Sequence, residues 1–102
     1  AATDKMTSDM AEELRPFDIA AVSLYPGLVR TEAVLAAAAH GAFDLGNSES
    51  PQFIGRVVAA LAGDPDLLGQ SGKVLVAATL AAGYGIRDID GRSPRPYTLA
   101  DA

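Results

Sequence analysis

Hydrophobic and polar positions along the chain fall into blocks whose period switches between helical and extended. Ala2, Met6, Met10 and Leu14 recur every four residues among Asp4, Lys5, Ser8, Asp9, Glu12 and Glu13. That spacing predicts a helix with one apolar stripe facing a core, stopped at Arg15-Pro16 because proline has no N–H to continue the ladder. Met6 and Met10 suit a core stripe at this spacing better than a partner surface. Ile19 to Leu24 follows as an apolar run with Ser23 its only polar member. It lacks the alternation of a half-wetted strand and predicts a parallel strand covered on both faces.

The second half repeats the alternation. Glu32 to Ala39 has high helix propensity and Gly41 can end it. Residues 40–50 are weakly patterned, with Gly41, Gly46, Asn47, Ser48 and Ser50, and read as a mobile loop. Ser50 then caps a helix opened by Pro51, whose apolar face is Phe53, Ile54, Val57, Val58 and Leu61, and Gly63-Asp64-Pro65 closes it. A turn at Gly69-Gln70-Ser71-Gly72 leads into Lys73 to Ala78, a second buried strand around Val74-Leu75-Val76. The two strands, joined through helices, are expected to lie side by side and parallel in one right-handed crossover. From Gly83 the tail is rich in glycine, proline and charge, so its order must come from packing on something else.

The chemistry gathers where the first strand stops, at Val22-Ser23-Leu24-Tyr25-Pro26-Gly27-Leu28-Val29-Arg30-Thr31. Pro26 cannot extend a ladder and Gly27 permits close approach of the backbone to a ligand. Thr31 is a good N-cap, with Glu32 placed favourably in the first helical turn. Ligands of open α/β sheets sit just outside the carboxyl ends of strands, against such helix starts. An ordinary strand-to-helix turn has the same pattern, so residue types alone leave both readings open.

Composition narrows the partners. The 102 residues carry 8 basic and 13 acidic side chains, a formal charge of −5, which argues against a nucleic-acid surface. Arg15, Arg30, Arg56 and Lys73 are scattered, and Arg87, Arg92 and Arg95 are interleaved with Asp88 and Asp90, as on a solvated surface. Without cysteine there are no disulfides or thiolate metal ligands, and no metal site is expected. Asp88-Ile89-Asp90-Gly91 is only part of a calcium loop, with Ile86 where the first Asp belongs and Tyr97 where the closing Glu belongs. Gly83-Tyr84-Gly85 is a bare G-x-G with Asp88 at the third glycine position, so it is no dinucleotide fingerprint. His40 has no paired carboxylate motif and reads as a surface or helix-end residue. No apolar run approaches 18 residues and no secretory leader pattern is present, so the expected setting is the cytoplasm, away from membranes.

Pro26-Gly27-Leu28-Val29-Arg30-Thr31 resembles the Pro-Gly-x-Val-x-Thr segment that follows the sixth strand in the short-chain dehydrogenase/reductases. The likeness extends to residues 1–14 and to Ser71-Gly72-Lys73-Val74-Leu75, and Tyr84 to Arg92 narrows it to one subgroup with vertebrate members. It implies an α/β chain forming the C-terminal part of a Rossmann-type, doubly wound parallel sheet, incomplete on its own. Residues 1–15 would end the helix that follows the catalytic pair, 32–50 would include a substrate lid, and 83–102 would be the C-terminal tail. The tail departs from the commoner family ending, with Thr79-Leu80-Ala81-Ala82-Gly83-Tyr84-Gly85 in place of a Gly-Gly pair after the last strand.

The resemblance implies NAD or NADP as cofactor and a small carbonyl or alcohol as substrate. Pro26 and Gly27 would pass beside the nicotinamide, Val29 would meet its carboxamide through the main chain, and the Thr31 hydroxyl would bond the cofactor. It also implies a homo-oligomer, because the family helix that residues 1–14 resemble joins a dimer-forming bundle. The family's Tyr-x-x-x-Lys is missing: none of Tyr25, Tyr84 and Tyr97 has lysine four positions on. No catalytic residue is therefore assigned, and the chain is expected to be an inactive fragment of an oxidoreductase. The competing expectation is a non-catalytic interaction or dimerisation module.

Overall fold

A computed structural model describes residues 2–41 and 45–96. It is a mixed α/β chain, a partial Rossmann-like unit with two parallel strand pairs. The order is α1 (Ala2–Leu14), a short 3-10 turn (Arg15–Phe17), β1 (Ser23–Tyr25), β2 (Leu28–Val29) and α2 (Glu32–Ala39). Then come β3 (Ser48–Glu49), α3 (Pro51–Ala62), a second 3-10 turn (Leu67–Gln70), β4 (Val74–Val76) and α4 (Ala77–Tyr84). β1 pairs parallel with β4, Ser23 opposite Val74 and Tyr25 opposite Val76, as the sequence predicts. β2 pairs parallel with β3, which the sequence reading did not anticipate. No described helix is long and apolar enough to cross a membrane.

The first strand is shorter than the predicted Ile19 to Leu24. Its approach still bonds to the opposite segment, but irregularly: Gly72 N–H donates to the Ala21 carbonyl at 2.7 Å, and Ala21 N–H donates to Ser71 Oγ at 3.0 Å. Gly72 holds φ +84°, and a Cβ there would lie 3.5 Å from the Ala11 methyl, so this turn bends the partner away from a regular ladder and tucks under α1. Nor is β1 covered evenly on both faces. Leu24 packs on the core of α3 and α4, while Ser23 turns to α1, and Tyr25 stays 44% exposed.

The α1 stripe is turned from its expected orientation. Met6 and Met10 are 56% and 40% exposed, and the buried positions are Thr7 and Ala11. Asp4 fixes that rotation by accepting hydrogen bonds from the hydroxyls of Ser23 (2.6 Å) and Tyr25. The face Asp4, Thr7, Ala11 is small enough to approach β1 and the Gly72 turn, where methionines would not fit.

The core lies between α3 and α4: Phe53, Val57, Ala77 and Ala81 are buried, with Leu24, Ile54, Leu80 and Ile86 against them. Val58, expected on the apolar face, is exposed. Ser50 caps α3 as predicted, its Oγ accepting the Phe53 N–H at 3.0 Å. Ala77 and Ala78, assigned by sequence to the second strand, instead begin α4, because alanine's helix propensity prevails where β4 ends level with β1. Gly83 and Gly85 therefore belong to a helix end, Gly85 taking the left-handed cap with φ 72°.

Candidate functional site

β1 and β4 end together at Tyr25 and Val76, and the chain leaves this carboxyl-terminal rim through Pro26. Pro26 is exposed and Gly27 half-buried. Gly27 N–H donates to Glu49 Oε1 at 2.9 Å, and three residues later Arg30 N–H donates to the Glu49 carbonyl at 2.8 Å. Because main-chain polar groups alternate sides along a strand, this pairing turns the N–H and C=O of Val29 away from β3. The Val29 carbonyl also accepts the Thr31 N–H at 2.8 Å, closing a three-residue turn. Thr31 caps α2, its Oγ accepting Val34 N–H at 3.3 Å and leaving its own proton to donate. The four residues singled out from sequence, Pro26, Gly27, Val29 and Thr31, thus share one bend at the sheet rim.

A polar network that sequence reasoning missed holds the bend from behind. The Arg30 guanidinium, with a side chain 16% exposed, donates to Ser48 Oγ at 2.7 Å and to Asp88 Oδ2 at 3.2 Å, and lies 3.8 Å from Asp90. Asp88 accepts Ser50 N–H at 2.9 Å, the Ser50 hydroxyl, and its neighbour Ile89 N–H at 2.6 Å. Arg30 and Asp88 are therefore interior partners, against the expectation of a solvated surface for both. Within the described part of the tail, 83–96, Asp88 fastens the chain onto the start of α3; residues 97–102 lie outside the described residues. Burial works to raise the Asp88 carboxyl, but the bonds from Ser50 and Ile89 and the charge of Arg30 hold it below its ordinary value.

Glu49 is 1% exposed. Burial pushes its carboxyl up, opposed by the Gly27 N–H and reinforced by the negative charge of Asp88. Ser48, Glu49 and Ser50 are all buried and form or follow β3, so the end of the expected mobile loop is fixed structure; residues 42–44 of that loop lie outside the described residues. The only sequence signal for Glu49 was an acid two positions before a Pro-opened helix. His40 is exposed at the end of α2.

On the other side of β1, α1 is tied to the residue preceding the bend. The Ser23 hydroxyl, and after it the Tyr25 hydroxyl, lower the Asp4 carboxyl to about 2. A carboxyl depressed by folding contributes stability that is present above its unfolded value near 4 and lost as pH falls through 2. Acid unfolding of wild type beside Asp4→Asn checks this: the variant should lose stability less steeply between pH 4 and 2. Parallel curves would remove Asp4 from the account.

No protein-family model matches the chain. Over 95% of its length the chain is 43% identical to a Mus musculus protein, Dehydrogenase/reductase SDR family member 1. Its identity to the Homo sapiens protein of the same name is 40% over the same share. The chain spans about a third of the length of these curated relatives, 34% in each case. It resembles the subgroup to which its tail sequence pointed.

Proposed function

From this resemblance to a dehydrogenase/reductase subgroup, we propose that the chain is the nicotinamide-orienting part of an NAD- or NADP-dependent oxidoreductase acting on a small carbonyl or alcohol substrate. The observation that carries the reading is the outward N–H and C=O of Val29 on a bend braced at the rim of parallel strands. An amide needs such a paired donor and acceptor, and the residues present fit a nicotinamide carboxamide. Bound there, the nicotinamide would donate or accept hydride.

The chain's own residues supply orientation. Val29 would bond the carboxamide through its main chain, Thr31 would donate its hydroxyl proton to the cofactor, and Pro26 and Gly27 would pass beside the ring. Holding the carboxamide by two bonds presents one face of the ring to substrate and meets the entropy of alignment before reaction. Proton transfer to or from the substrate is assigned to residues outside this chain, which has no Tyr-x-x-x-Lys. A homo-oligomer contact through α1 goes with this reading, favoured by the outward Met6 and Met10 stripe.

Assaying the full-length gene product with both cofactors against a carbonyl and alcohol panel tests the activity; cofactor-dependent turnover is expected, and its absence with both cofactors contradicts the proposal. Thr31→Ala should weaken cofactor binding by roughly 0.5–1.5 kcal/mol, the worth of a neutral hydrogen bond. Val29→Ala should change it little, because the contact is main-chain. Equal dissociation constants for wild type and Thr31→Ala would take Thr31 out of the site.

A further inference from the structure

We infer that Glu49 is a positioning residue for the cofactor turn, its carboxylate and its carbonyl fixing the two ends of the bend between Gly27 and Arg30. The inference rests on the nicotinamide-orienting reading of that bend. Carboxylates are almost never fully buried without a partner, and an apolar side chain of similar volume would avoid the desolvation penalty. Glu49 is nonetheless 1% exposed. A structural ion pair with Arg30 does not explain it, since that guanidinium is turned to Ser48 and Asp88.

What Glu49 does is geometric. Oε1 accepts Gly27 N–H at 2.9 Å while the carbonyl of the same residue accepts Arg30 N–H at 2.8 Å. Leu28 and Val29 are thereby held between two anchors carried by one buried residue of a neighbouring strand. With both ends fixed, the outward polar groups of Val29 keep one orientation. Losing the Gly27 anchor lets the turn pivot about Arg30, and displacement of an aligning group by about 1 Å can slow a reaction up to 100-fold. Contacts elsewhere on the cofactor would still hold it, so the loss falls on turnover more than on affinity.

The test uses the full-length protein with NADH and NADPH, comparing E49Q, E49M and E49D. Glutamine keeps an acceptor at the same reach, methionine removes it, and aspartate withdraws the carboxylate by one methylene. E49Q should keep kcat within about twofold, whereas E49M and E49D should lose about tenfold, equivalent to about 1.4 kcal/mol, with substrate KM little changed. Thermal midpoints measured alongside separate a merely structural role, which would lower the midpoint but leave kcat of the folded enzyme intact. Wild-type kcat in E49M, or E49Q as impaired as E49M, overturns the inference. Should E49M fail to fold, E49D decides against E49Q: impaired aspartate with intact glutamine supports it, and the reverse overturns it. Wild type that binds and turns over neither cofactor refutes the proposed function itself, and the role of Glu49 with it.

Discussion

Asp88→Ala in the full-length protein is expected to lower the free energy of unfolding by about 3 kcal/mol, at the lower end of the range for breaking a buried charge pair from one side. The Asp88 side chain is 1% exposed and bonds a guanidinium whose side chain is 16% exposed. Removing the carboxylate leaves the Arg30 charge largely desolvated beside Asp90, and strands both the N–H and the hydroxyl of Ser50. Asp88→Asn keeps the shape and one acceptor but not the charge, so it should fall between wild type and alanine. Because folding holds this carboxyl below its ordinary value, its contribution is present above pH 4 and disappears as pH falls through the lowered value. Urea unfolding at pH 7 checks the magnitude. A loss below 1 kcal/mol would mean that Arg30 and Ser50 find other partners and that the tail does not brace the bend.

Phe53→Ala is expected to destabilise by about 3–5 kcal/mol, the sum of lost transfer free energy and the cavity left behind. Phe53 is fully buried in one cluster with Val57, Ala77 and Ala81, and alanine in its place would leave a cavity there. The effect reaches the site, since Phe53 sits in the first turn of α3 and its N–H bonds the Ser50 cap. Ser50 is the residue between Glu49 and the helix, so a loosened first turn should also weaken the Asp88 clamp. Phe53→Leu retains most of the volume and should lose less than about 1.5 kcal/mol. Thermal denaturation of the two variants beside wild type measures the difference, and equal midpoints for Ala and wild type would contradict the placement of the core.

Elements fixed by local chemistry were legible in the sequence. Pro16 ended α1, Thr31 and Ser50 capped α2 and α3, and the parallel pairing of β1 with β4 followed from two short apolar runs separated by helices. What long-range contacts decide was not legible. The rotation of α1 depends on Asp4 meeting Ser23 and Tyr25, 19 and 21 residues away, and that contact outweighed the methionine stripe. β3 is two residues with no apolar member, and it exists because Ser48 and Glu49 bond the bend and Arg30. The four residues of the bend could be named in advance because all of them fall within one six-residue motif, positions 26–31, that carries the family resemblance. Their supports, Glu49 and Asp88, come from distant segments whose carboxylates look like ordinary surface charges until the fold buries them.

A crystal structure of the full-length protein with bound NADH or NADPH tests the central claim most directly. The nicotinamide is expected beside Pro26 and Gly27, with its carboxamide within hydrogen-bond distance of the Val29 N–H and C=O. A nicotinamide ring bound elsewhere, with that bend open to solvent, would contradict it.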